Sequence, residues 1–200
     1  MQLSLIFIRH GLTAGNEQRR YVGQGDDQPL SEKGREQLRA WQAGRRYPPA
    51  DALYVSPLLR CRETAQILYP MLAPVILPSL IELDMGAFEG KTYDQLKDDP
   101  AYRRWIDTRG MSAPPGGESG EEFAARLRGA LGHIAEDARR CGIRRAAVVT
   151  HGGCIMTLFQ QLGSLSGADM YEYITPNGGG YTAVLDTDRM TLENAVPIAL

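Results

Sequence analysis

The chain has 200 residues, of which 43% are hydrophobic and 23% charged, and its formal net charge is −2. That balance is ordinary for a globular protein, fits one core at ~100–200 residues per domain, and gives no reason to expect bulk binding to nucleic acid or an acidic membrane. Three unpatterned cysteines, at 61, 141 and 154, predict a reducing compartment without a disulfide framework. The amino terminus lacks the pattern of a signal peptide and no apolar run approaches the ~20 residues that cross a bilayer, so a cytoplasmic protein is expected.

Strand-like and helix-like segments alternate along the chain. Leu3–Ile8 is a short apolar run that predicts a buried strand. Ser31 is placed to cap a helix running through Trp41, and Asp51–Val55 predicts a second strand. Ser56-Pro57 is expected to supply an N-cap and a proline in the first turn, with Leu58, Cys61, Ala65 and Leu68 on one helical face behind it. Pro74–Ile81 is expected to be extended and to lead into an acidic loop. The polar, aromatic stretch from Lys91 to Gly120 predicts a short helical excursion and a loop that cover a pocket. Ser119 and Glu122 form a capping box ahead of an amphipathic helix that stops near Gly142. Ala146–Thr150 is another buried strand, Ile155–Leu162 a helix, and Tyr181–Asp186 with Met190–Val196 a closing hairpin. Such alternation implies a three-layer α/β/α sandwich: a mostly parallel sheet with helices on both faces. Residues 1–200 are expected to form a single domain, with the pocket-covering excursion at about 83–120.

Two of the three histidines stand directly behind buried-strand patterns, in Arg9-His10-Gly11 and in His151-Gly152-Gly153. The carboxyl edge of an open α/β sheet is where ligands bind, so both are expected in one site. A neutral imidazole has a lone pair and can act as a nucleophile; neighbouring guanidinium groups disfavour its protonation. Arginines match phosphate oxygens with their fork. Arg60 falls in the first turn of a helix, where a cation opposes the helix dipole unless an anion lies beside it. Arg62 is read as a surface residue and His133 as a solvated mid-helix residue. Gly86–Thr92 imitates a nucleotide-binding loop but has three intervening residues where four are required. His151 with Cys154 lacks the further ligands of a zinc site.

The ordered set Arg9-His10-Gly11, Thr13, Asn16, Gly23-Gln24, Ser56-Pro57-Leu58-Leu59-Arg60, Glu82 before Gly86–Gly90, and a late strand-His151-Gly152 resembles the histidine phosphatase superfamily, in its phosphoglycerate-mutase-like branch. The likeness runs from Leu3 to about Val184. It implies His10 as nucleophile, Arg9, Arg60 and His151 as the groups around the transferring phosphoryl oxygens, and Asn16 as a further amide donor. Glu82 is implied as general acid, with Asp84 and Glu89 as local rivals. Thr13, Gly23, Gln24 and Gly152 are weaker candidates for substrate binding, and Leu12 adds nothing polar. The resemblance further implies a metal-independent phosphomonoesterase without cofactor, acting on a small-molecule phosphomonoester and not on nucleic acid or membrane; a homodimer is left open. The compact insertion, Gly117-Glu118-Ser119 and the ending around Gly179-Gly180-Tyr181 resemble α-ribazole phosphatases, and broad-specificity sugar-phosphate and phosphoserine phosphatases look similar at this level. The alternatives are a cofactor-dependent phosphoglycerate mutase and a non-catalytic phospho-ligand binder.

Overall fold

The computed structural model describes residues 1–163 and 170–200. Six strands form one sheet in the order β3-β2-β4-β1-β5-β6: β1 Gln2–Arg9, β2 Ala52–Val55, β3 Pro74–Ile76, β4 Arg145–Thr150, β5 Gly180–Asp186 and β6 Thr191–Pro197. The four strands β3, β2, β4 and β1 are mutually parallel. The last two join antiparallel, as expected of a tight hairpin. This is the expected three-layer α/β sandwich, and its cause lies in the strand sequences. The central strands are apolar on successive residues, as burial on both faces requires.

Alternate residues of each strand feed two separate cores. Leu5, Phe7, Tyr54 and Val148 pack with Leu127, Leu131 and Ile134 on one face, whereas Ile6, Ile8, Val55 and Val149 pack with Leu38, Cys61 and Leu68 on the other. The first face is covered by α6 (Gly120–Cys141) and α7 (Gly152–Leu162), the second by α2 (Glu32–Ala43) and α3 (Leu59–Leu68). The neighbouring strands β1 and β4 therefore send the chain to opposite faces, and a crevice opens at their carboxyl ends. The capping box at Ser119 is present, and α6 ends on Gly142 in the left-handed conformation (φ 70°), which glycine tolerates without a Cβ clash. The excursion after β3 contains α4 (Tyr93–Leu96) and α5 (Pro100–Asp107).

Two local expectations need correction. Ser56 does not cap α3: the N-cap is Leu58, and the backbone N–H of Leu59 is satisfied by Asp27 at 2.6 Å, which leaves the Ser56 hydroxyl for another partner. The extended segment ends at Ile76, because Pro78–Leu80 turns as a short 3₁₀ helix. Thr13 and Asn16 close a reciprocal capping box around the short helix α1, Ala14–Glu17. Among the described residues no helix is long and apolar enough to cross a membrane.

The join between β1 and β5 depends on Gly180, opposite Ile8. A Cβ there would lie 1.8 Å from the carbonyl oxygen of Phe7, a backbone atom that no rotamer change can move. Gly180→Ala is expected to destabilise the protein by ~1–3 kcal/mol, the usual cost of overpacking. A denaturant midpoint equal to that of the wild type would contradict this.

Candidate active site

The register of β1 and β4 builds the centre. Arg9 pairs with Thr150 and the His10 N–H donates to the Thr150 carbonyl at 2.9 Å, so the residues following the two strands leave the sheet side by side. The imidazoles of His10 and His151 meet edge to face with centroids 5.2 Å apart, both nearly inaccessible to solvent.

The protonation of His10 follows from its partner. Its Nδ1 lies 2.7 Å from the carbonyl oxygen of Gly11; a carbonyl only accepts, so Nδ1 carries the proton and Nε2 keeps the lone pair. Burial, followed by the charges of Arg60 and Arg9, pushes the His10 pKa well below the ordinary value. These causes favour the neutral imidazole, with its lone pair on Nε2. His151 is pushed down by burial, Arg60 and His10. These causes favour its neutral form, which offers hydrogen bonds rather than positive charge. Its Nε2 lies 2.7 Å from Ser56 Oγ and 3.5 Å from Cys61 Sγ. The Cys61 thiol, pushed up to about 12 by burial, is an inert packing group.

Arg60 is fully buried on the inner face of α3. Its Nη1 donates to the carbonyl of Asp26 at 2.7 Å and its Nη2 to that of Gly23 at 2.8 Å. Arg9 donates from Nη1 to the Thr175 carbonyl at 2.8 Å. In both arginines the buried Nε has no hydrogen-bond partner among the described residues. Cationic N–H groups placed this way suit an anion's oxygens.

Glu82 follows the 3₁₀ turn. It accepts from Leu83 N at 2.9 Å and from Gly153 N, in the first turn of α7, at 3.1 Å. Burial raises its pKa, outweighing these two hydrogen bonds and the charges of Arg60 and Arg9. The rivals are otherwise engaged: Asp84 accepts from Gln24 Nε2 and Gly86 N, and Glu89 from Gly23 N and Gly25 N. The glycines after His151 make room for this chemistry. A Cβ at 152 would stand 3.3 Å from Arg9 Nε, and one at 153 only 2.6 Å from Glu82 Oε1.

A cavity of about 400 Å³ joins Arg9, His10, Asn16, Glu82 and Gly152. Asn16 Oδ1 receives Thr13 N, Thr13 Oγ1 and Asn177 Nδ2, which turns its own amide NH₂ away from them; Thr13 thereby acts as a cap rather than a cavity group. Gly23, Gln24, Arg60 and His151 are not among the residues lining the cavity; Gly23 holds Arg60 and Gln24 holds Asp84. Arg62 and His133 are exposed. Several supporting residues escape sequence reasoning. Ser56 was assigned to a cap. Thr64, four residues beyond Arg60, accepts from Gly11 N and donates to the Arg60 carbonyl; a polar residue on the buried helix face was its only signal. Thr175 and Asn177 act through or on backbone carbonyls, which leave no trace in sequence.

Such a crevice, with paired imidazoles and guanidiniums at the carboxyl edge of a mostly parallel sheet, defines the phosphoglycerate-mutase-like class of α/β proteins. The chain belongs to the histidine phosphatase superfamily (branch 1), whose model matches residues 5–196. It is 38% identical over 130 residues to a bifunctional protein of Mycobacterium tuberculosis, a match covering 62% of this chain and 35% of that protein's length. It is 32% identical over 164 residues to a probable phosphoglycerate mutase of Klebsiella pneumoniae, covering 78% of this chain and 74% of the other. Among solved structures, the mycobacterial glucosyl-3-phosphoglycerate phosphatase superposes with a TM-score of 0.80 at 27% identity, over 98% and 97% of the two chains. The α-ribazole phosphatase of Shigella flexneri superposes with a TM-score of 0.82 at 22% identity over 98% and 96%, a likeness of fold.

The electrostatics of His10 give a test that needs no substrate. Removing a facing cation lessens the penalty on the protonated ring, so in Arg60→Met the His10 pKa rises toward the ordinary value of about 6.5. NMR titration of the ring resonances should show wild-type His10 neutral through that pH and the variant titrating higher. An unchanged or lower pKa in the variant would contradict the assignment of Arg60 as a facing charge.

Proposed function

We propose that the protein is a phosphomonoesterase that works through a phosphohistidine intermediate. The observation that carries this reading is the His10 Nε2 lone pair, fixed by the Nδ1–Gly11 bond, together with the buried Nε groups of Arg9 and Arg60, which have no partner among the described residues. Phosphoryl transfer requires little beyond position and charge stabilisation, and Arg9, Arg60, His151 and the Asn16 amide are the groups offered to the phosphoryl oxygens. In the first step Nε2 attacks phosphorus, the bond to the ester oxygen breaks, and the Glu82 carboxyl gives its proton to the departing alkoxide. In the second, the Glu82 carboxylate takes a proton from water as the water oxygen attacks phosphorus. The N–P bond breaks, phosphate is released and the lone pair returns to His10.

For the natural substrate we propose a phosphate ester of a bulky, partly aromatic alcohol, with α-ribazole 5'-phosphate as the leading member. Away from the phosphate groups the cavity wall is built from Tyr21, Trp105, Phe123, Met85, Met111 and Met156. Flat and polarizable side chains of this kind suit an aromatic group. One observation favours a mutase instead: Arg20 and Arg109 also line the cavity, and such cations suit a substrate carboxylate. Incubation with 3-phosphoglycerate and a bisphosphoglycerate primer separates the two readings, since a phosphatase releases inorganic phosphate without efficient formation of 2-phosphoglycerate.

His10→Ala is expected to abolish turnover with the fold retained, and acid quench of the wild type with labelled ester should trap phosphate on His10. Glu82→Gln should slow alkyl phosphates by about 10²–10⁴-fold and activated aryl phosphates far less, because a good leaving group needs no proton. Equal losses on both esters would move the acid elsewhere.

Because the arginines carry the charge stabilisation, activity is expected to survive exhaustive chelation. Loss of activity restored by zinc or magnesium would contradict this arrangement.

A further inference from the structure

Glu82 follows a turn whose main chain belongs to no strand, so its partly buried carbonyls need donors from elsewhere. They find one in Arg126, from α6. Its Nη1 donates to the carbonyls of Ser79 and Ile81 at 3.0 and 2.8 Å, and its Nη2 reaches the carbonyl of Glu82 itself at 3.3 Å. The remaining side of the fork grips Glu118, Nε to Oε1 at 3.0 Å and Nη2 to Oε2 at 2.7 Å. The pair is largely withdrawn from water, at 22% and 17% side-chain exposure. The guanidinium lies 5.0 Å from the ring centre of Phe123, a residue of the cavity wall. Glu118 is in turn tied to the acid loop, its N–H donating to the Asp84 carbonyl at 3.1 Å. All five N–H groups of the arginine have a use in this arrangement.

We infer that Arg126, held by Glu118, is a positioning residue that sets the reach of the Glu82 carboxyl toward the leaving oxygen. The inference rests on the reading of Glu82 as the general acid. The carboxyl is anchored at its tip by Leu83 N and Gly153 N, but the main chain beneath it is anchored by Arg126. Loosening that main chain moves the carboxyl relative to His10, and a shift of ~1 Å costs about 10²-fold in a positioned proton transfer. Lysine cannot replace the fork, since one ammonium cannot serve three carbonyls and a bidentate carboxylate.

The test is a double-mutant cycle on Arg126→Met and Glu82→Gln, each assayed on an alkyl phosphate and on an activated aryl phosphate. Arg126→Met is expected to lower kcat on the alkyl ester by roughly 10–100-fold, with KM and the aryl rate within about threefold. In the Glu82→Gln background it should add almost nothing. Arg126→Lys and Glu118→Gln should show the same leaving-group selectivity in weaker form, and they serve if the methionine variant fails to fold. If Glu82→Gln is selective for the alkyl ester but Arg126 losses are equal on both esters, or multiply in that background, the inference fails while the acid assignment stands. If Glu82→Gln shows no selectivity, the acid assignment fails and takes this inference with it.

Discussion

Two guanidinium groups and two imidazoles share one buried region at the carboxyl ends of β1 and β4, and much of the surrounding chain is arranged to make that tolerable. A buried cation without partners is severely unfavourable, and the protein answers mainly with backbone carbonyls rather than carboxylates. Gly23 and Asp26 solvate Arg60, and Thr175 solvates Arg9. These bonds bring the loop after α1 and the loop before β5 to the site, so solvating the charges and assembling the pocket are one set of interactions. A carboxylate in their place would neutralise the arginines and weaken their hold on an anion. Carbonyls leave the full positive charge and one free Nε on each.

The same burial acts in opposite directions on the two kinds of titrating group. It disfavours the cationic form of His10 and the anionic form of Glu82, so both are driven toward neutrality. The arginines reinforce the shift of His10 and oppose that of Glu82.

Membership of the histidine phosphatase superfamily accounts for the sheet, but a fold of this kind hosts several activities. In this chain the excursion between β3 and α6 builds part of the cavity wall. That segment supplies Met85, Trp105 and Met111 to the cavity and fixes Glu118 against the acid loop. Close packing ties the two together: a Cβ at 117 would lie 2.4 Å from the Asp84 carbonyl, and one at 86 would lie 2.4 Å from that of Pro115. The cavity wall and the loop that carries Glu82 are thus one packed unit.

The features legible in the sequence were those that repeat a period or name a residue type. The apolar runs ending at His10 and His151 specified two buried strands with their histidines at the same sheet edge. The capping box at Ser119 and the glycine at 142 bounded α6, and the alternation at the chain's end specified the antiparallel hairpin. Arg9, Arg60, Asn16 and Glu82 were legible through their order along the chain. Only the tertiary structure decided what surrounds them. Ser56 has the form of a helix cap, yet its hydroxyl faces His151 because Asp27, distant in sequence, takes over the cap. Arg126 looks like one charged residue among many on a helix, yet it carries the main chain of Glu82. The physical reason is common to both: their partners are backbone groups or residues brought near by packing of the sheet, and a backbone carbonyl has the same identity at every position of a sequence.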